Sequence, residues 1–244
     1  MKFYWFGDSW VFGDELSIND RNTQVFAKII SDHFQAECIN LSICGSSINS
    51  LTHEFIKIAS TIDPKKDIVF FGLTSNIRIS IFDETGLKNI LPSGYDKHNL
   101  HPHTKEWYKY FDSSTQRVYN YDCNTNLLYL LCKELGIQCY FYNIFTTVDL
   151  DVFDYIPLEN WLIPKNKCIA EYILPVIDIK NQGLIVDDCP EITSEQWHEQ
   201  KVYVDKYIKP CYCHPNIAGH KKIAEELIKC LNYKTKQTYN TSAE

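Results

Sequence analysis

From Asp67 to Phe71 the chain reads Asp-Ile-Val-Phe-Phe, apolar at every position after the first. Four apolar residues in a row are too few for a helix, and a strand with one wet face alternates between apolar and polar. The run therefore fits a strand covered on both faces, the condition met in a parallel sheet lined with helices on each side. Phe3–Phe6 has the same character, and shorter stretches at Cys38–Leu41 and Ile137–Tyr142 repeat it. Helical spacing separates these strands. Val25, Phe26, Ile29, Ile30 and Phe34 share one face over Gln24–Phe34. Ile48, Leu51, Phe55, Ile58 and Ile62 share another that stops before Pro64, with Ser47 or Asn49 as its cap. A third helix over Asn126–Leu135 closes on Gly136 in the left-handed cap position. Strands and helices in alternation predict an α/β doubly wound parallel sheet, with ligands beyond the carboxyl ends of its strands.

The regularity lapses twice. Residues 79–122 carry Pro92, Gly94, His98, His101, His103 and several aromatics including Trp107, and read as an insertion that supplies substrate contacts. Residues 143–210 are punctuated by prolines and read as a second insertion, with one helix expected over Thr193–Tyr203. Order returns over Asn216–Leu231, where Ile217, Ala218, Ile223, Ala224, Leu227, Ile228 and Leu231 line one face. With no linker and no internal repeat, residues 1–232 are expected to form one domain, followed by a polar tail over residues 233–244.

The chemistry concentrates at the two ends of the chain. Gly7-Asp8-Ser9 breaks the first apolar run and sets Ser9 on a turn at a strand end, where a hydroxyl projects over the sheet edge beside free backbone N–H groups. Asp8 suits the turn itself, as an acceptor of backbone N–H groups. A serine nucleophile needs a base, and the other dense cluster is Cys213-His-Pro-Asn-Ile-Ala-Gly-His220, in which His214 precedes the last helix.

These two blocks resemble the first and last blocks of the GDSL, or SGNH, hydrolases. Asn40-Leu-Ser-Ile-Cys-Gly-Ser-Ser-Ile-Asn49 is similar to the block that supplies an oxyanion-hole glycine, here Gly45, and Asp67–Arg78 to the block that supplies an asparagine. The resemblance implies a three-layer, flavodoxin-like fold and a serine esterase with Ser9 as nucleophile and His214 as base. The oxyanion donors it implies are the Ser9 and Gly45 N–H groups together with Asn76 or Thr74. Thr74 holds the usual spacing from Gly72, and Asn76 holds the amide. The family's aspartate, three residues before the histidine, is replaced by Cys211, which leaves Asp205 or Asp187 as candidate orienting acids. Loss of that acid cost about 10⁴ in turnover in a serine protease, so a lapsed enzyme that only binds a carbohydrate or another small ligand is the competing expectation. Arg78 and Trp10 are the candidate substrate contacts, with a structural salt bridge the rival role for Arg78. Small acyl groups such as acetyl on a carbohydrate are the substrates the resemblance implies, without metal or organic cofactor. The opening also resembles that of short single-domain relatives encoded by bacteria and their phages.

Composition removes other classes. A net charge of −7 with no basic cluster excludes nucleic acid as the expected partner. No stretch reaches the length of a membrane span, and the apolar start is too short for a signal peptide. Ten cysteines without such a signal are expected as reduced thiols in a cytoplasm-like compartment. Cys211-Tyr-Cys-His214 lacks a second ligand pair, so zinc is not expected there.

Overall fold

The computed structural model describes residues 1–76, 78–83, 86–90, 113–144, 155–173, 185–186, 189–190, 206–208 and 214–241. Its first half runs β1 (Lys2–Phe6), α1 (Ser9–Phe12), α2 (Ile18–Gln24), α3 (Phe26–His33), β2 (Glu37–Asn40), α4 (Ile48–Ile58) and β3 (Ile68–Leu73). A hairpin of β4 (Ile79–Asp83) and β5 (Gly86–Ile90) follows, then α5 (Ser114–Leu135) and β6 (Gln138–Asn143). A short antiparallel pair, β7 (Ile185–Val186) and β8 (Cys189–Pro190), precedes the last helix, α6 (Ile217–Thr241).

Four strands form one sheet in the order β2-β1-β3-β6, and every pairing in it is parallel. Phe3 to Phe6 register with Ile68 to Phe71, so the two most apolar runs of the sequence lie side by side at the centre. Alternation then divides their side chains between two cores. Phe3, Trp5, Phe70, Tyr140 and Tyr142 face one side, where they meet Phe26 and Ile30 of α3 and Ile223, Ala224 and Leu227 of α6. Tyr4, Phe6, Val69, Phe71 and Phe141 face the other, against Leu51 and Phe55 of α4 and Leu128 and Cys132 of α5. Trp5 stacks on Phe70 with ring centroids 4.1 Å apart, and its indole N–H donates to Ser31 Oγ at 3.1 Å. Asp67, the polar residue at the head of β3, is buried because its carboxylate accepts the Lys2 and Asp63 N–H groups. The α/β three-layer, doubly wound expectation holds.

Several boundaries differ from the sequence reading. The helix expected over Gln24–Phe34 is α3, starting at Phe26, and Val25, whose backbone is extended (φ −68°, ψ 142°), separates it from α2, which the sequence reading did not expect. The helix expected from Asn126 begins twelve residues earlier, at Ser114, so part of the first presumed insertion is regular structure. Its buried stripe is Tyr121, Thr125, Leu128 and Cys132, in which Thr125 breaks the apolar pattern. Thr125 tolerates burial because its hydroxyl donates to the Tyr121 carbonyl at 2.8 Å. Ser113 caps this helix by accepting the Gln116 N–H.

Residues 155–173, placed in the second presumed insertion, supply core side chains: Ile156, Trp161, Leu162, Ile163, Cys168, Ile169 and Ile173 are all buried. Two parallel bridges, Phe141 to Trp161 and Asn143 to Cys168, dock the segment along the free edge of β6. The polar tail expected after Asn232 continues α6 as far as Thr241, and Lys234 pins it by donating to the Leu158 and Glu159 carbonyls. The helix expected over Thr193–Tyr203 lies outside the described residues. No helix among the described residues is long and apolar enough to cross a membrane.

Candidate active site

The site is built around the turn that leaves β1. Asp8 caps α1, its Oδ1 accepting the Trp10 N–H at 3.0 Å, so Ser9 stands as the first residue of that helix. Gly7 makes the turn tight enough: a Cβ there would fall 2.3 Å from Val11 Cγ2. The Ser9 carbonyl accepts from both Gly13 and Asp14 N–H at 2.9 Å, which closes the helix after a single turn.

Every other motif of the sequence fastens to this turn. Asn40 donates its side-chain amide to the Val11 carbonyl at 2.8 Å and, through Oδ1, accepts the Ser42 N–H. The Ser46 hydroxyl and the Ile43 N–H both donate to the Gly7 carbonyl, at 2.8 and 3.1 Å. Gly45 sits between them at φ 72°, a left-handed conformation that glycine adopts without steric cost, and is half-buried. Its N–H makes no backbone hydrogen bond among the described residues. From the end of β3, Thr74 donates its hydroxyl to Asp8 Oδ2 at 2.9 Å, and Arg78 Nη1 reaches the same oxygen at 2.9 Å.

Arg78 is 1% exposed and Asp8 fully buried, so the pair is a structural ion pair beneath the turn. This is the salt-bridge role that was the rival expectation for Arg78, and the other donors to Asp8 complete the satisfaction that a buried charge requires. Trp10, 3% exposed, belongs to the core cluster that includes Leu16 and Val25. Thr74 has its hydroxyl committed to Asp8, while Asn76, half-buried in the turn after β3, has no side-chain hydrogen bond among the described residues. The phenols of Tyr121 and Tyr142 are both pushed up, first by burial and then by the Asp8 charge.

The C-terminal motif is equally legible in the structure. Asn216, just before α6, accepts the Gly219 N–H at 3.0 Å and exchanges contacts with the neighbouring segment, its own N–H bonding to Tyr207 O and its amide to Lys206 O. Gly219 lets that segment approach, for a Cβ would fall 2.3 Å from the Tyr207 carbonyl. His220 is fully buried, stacks on Phe26 and accepts the Phe26 N–H on Nδ1 at 3.4 Å. Burial first, and then the nearby His214, lowers its pKa from 6.5 to about 3, so it is a neutral packing residue under the site.

His214 itself is buried, with Nδ1 3.4 Å from Glu15 Oε2. Glu15 lies six residues after Ser9, in the turn whose N–H groups fold back onto the Ser9 carbonyl. Sequence reasoning missed it. Its backbone is left-handed (φ 62°), which costs a residue with a side chain of order 1–3 kcal/mol, and nothing in the residue's identity announces that conformation. Asp187 and Asp205, the acids expected to orient His214, lie outside the described residues, as do Cys211 and the histidines at 98, 101 and 103. No cluster of three or more His, Cys, Asp or Glu among the described residues is placed to hold a metal ion.

No family model matches the chain, and no curated protein matches it. Solved structures do. TesA superposes with a TM-score of 0.50 at 9% identity, over 96% of this chain and 99% of that one. The chain shares the α/β fold of TesA. A lipolytic protein of the G-D-S-L family from Veillonella parvula aligns at 13% identity and TM-score 0.44, over 93% of this chain and 96% of its own. Axe2, an acetylxylan esterase from Geobacillus stearothermophilus, aligns at 14% identity and TM-score 0.45, over 94% and 93%.

Proposed function

We propose that the chain is a serine-dependent ester hydrolase that removes a small acyl group, such as acetyl, from a carbohydrate or similar alcohol. Ser9 Oγ attacks the acyl carbonyl while His214 takes its proton. Negative charge on the carbonyl oxygen is met by the Ser9 and Gly45 N–H groups and the Asn76 amide. Collapse of the tetrahedral adduct expels the alcohol, protonated by His214, and leaves the acyl group on Ser9. Water, deprotonated by His214, then releases the acid and restores the hydroxyl. No step calls for a metal or organic cofactor.

The observation that carries this reading is the convergence of four separated sequence blocks on one turn. Asn40 and Ser46 bond the second block to Gly7 and Val11, Thr74 and Arg78 bond the third to Asp8, and His214 brings the fourth against Glu15. A turn that merely needed a cap would be satisfied by Asp8 alone. The Ser9 hydroxyl, by contrast, has no hydrogen-bond partner among the described residues. The choice of acetyl and of a sugar follows from the sequence resemblance and the aromatic stretch that contains Trp107.

A panel of activated acyl esters, from acetyl to long-chain, tests the proposal with wild type and Ser9→Ala. The expected result is turnover that favours the short chains and is abolished by the substitution. Equal turnover by the two proteins, or none by either, would refute it.

A further inference from the structure

We propose that Glu15 is the carboxylate that fixes the tautomer and orientation of His214, taking the place of the acid that the histidine's own loop lacks at Cys211. Such a role matters only if His214 moves a proton, so the assignment rests on the hydrolase reading.

Three observations lead to it. Glu15 Oε2 is 3.4 Å from His214 Nδ1, with side-chain exposures of 15% and 10%, so the two groups face each other largely out of water. Nδ1 is buried and has no hydrogen-bond partner among the described residues, which leaves the carboxylate as the acceptor at hand. Unliganded catalytic contacts are often this long and tighten when substrate closes the site. Third, Glu15 holds a left-handed backbone (φ 62°) two residues after Gly13 (φ 80°). Glycine is the residue that suits such a position, and backbone strain in a residue with a side chain clusters at functional sites.

The assignment also explains how a chain with cysteine at 211 keeps the parts of the site in order. A carboxylate accepting the Nδ1 proton leaves the Nε2 lone pair free for the serine hydroxyl and balances the imidazolium that forms on proton transfer. Nucleophile and acid then share one stretch, Ser9 to Glu15, closed by the Gly13 and Asp14 N–H bonds to the Ser9 carbonyl. The base alone arrives from the other end of the chain. The titratable groups that face His214 among the described residues are Glu15 from this turn and His220 from α6, the latter neutral, whereas Lys206 of the adjoining segment turns over the Tyr207 ring.

The test is the tautomer of the neutral His214 ring, read by NMR from its ring-nitrogen shifts in wild type and in Glu15→Gln, beside kcat and KM. Wild type is expected to hold the proton on Nδ1, and removal of the carboxylate to leave a mixture of the two tautomers. It is also expected to reduce kcat about 10²–10⁴-fold at unchanged KM. Glu15→Gly, which suits the backbone conformation, repeats the measurement should the glutamine variant fold poorly. An unchanged tautomer in both variants would overturn the proposal, whatever happens to the rate. A wild type inactive on every ester, whose His214 tautomer nevertheless changes on substitution, would sustain the Glu15 contact and overturn the hydrolase reading instead.

Discussion

The buried pair under the Ser9 turn makes the sharpest stability prediction. In Asp8→Asn, Oδ1 still caps the Trp10 N–H, but the second oxygen becomes an amide or is turned away from the Thr74 hydroxyl and the Arg78 guanidinium. Arg78, 1% exposed, is then a charge out of water without its counter-ion. Breaking such a pair from one side costs about 3–5 kcal/mol. For a chain of this size each kcal/mol moves the melting temperature by about 2–4 °C, so a fall of about 6–20 °C is expected by calorimetry or circular dichroism. Removing both charges, in Asp8→Asn with Arg78→Met, should cost less than the two single changes added together, because no charge is then left unpaired. A single-variant loss below about 1 kcal/mol, or strict additivity in the double variant, would refute the claim that this pair organises the turn.

Other consequences can be measured in parallel. Gly7→Ala drives a methyl into Val11 and should destabilise by about 1–3 kcal/mol in urea unfolding, with partial recovery when Val11→Ala is added. His220 binds its proton only near pH 3 in the folded state but near 6.5 when unfolded. The unfolded chain therefore holds more protons between these values, and stability should fall as pH drops from about 6.5 to about 3. The slope is at most about 1.4 kcal/mol per pH unit, and proton uptake on unfolding should be correspondingly smaller in His220→Gln. His214→Ala should lower kcat by about 10⁴ or more in stopped-flow or steady-state assays while the protein stays folded.

The apolar runs at Phe3–Phe6 and Ile68–Phe71 revealed the sheet because burial on both faces leaves no polar residue to confuse the pattern. The N-terminal half of α5 was hidden for the opposite reason: Thr125 occupies its buried stripe, and the polar residues around it carry no period. Residues 155–173 concealed themselves as well, since they reach the core through bridges and 3₁₀ turns, which have no sequence period to detect. In the site, Gly7, Gly45, Asn216 and Gly219 were readable because each answers a backbone requirement that few residues meet. Arg78 was left between two roles and Glu15 was missed because their roles depend on which distant residue folding sets beside them. A charge in a loop is equally suited to substrate, to Asp8 or to His214 until the chain has closed.

Reaction with a fluorophosphonate, followed by intact mass and peptide mapping, decides whether Ser9 is the nucleophile. One adduct per chain is expected, located on Ser9, formed quickly by wild type and slowly or not at all by His214→Ala. An adduct on another residue, or an unmodified Ser9 in the folded wild type, would contradict that role.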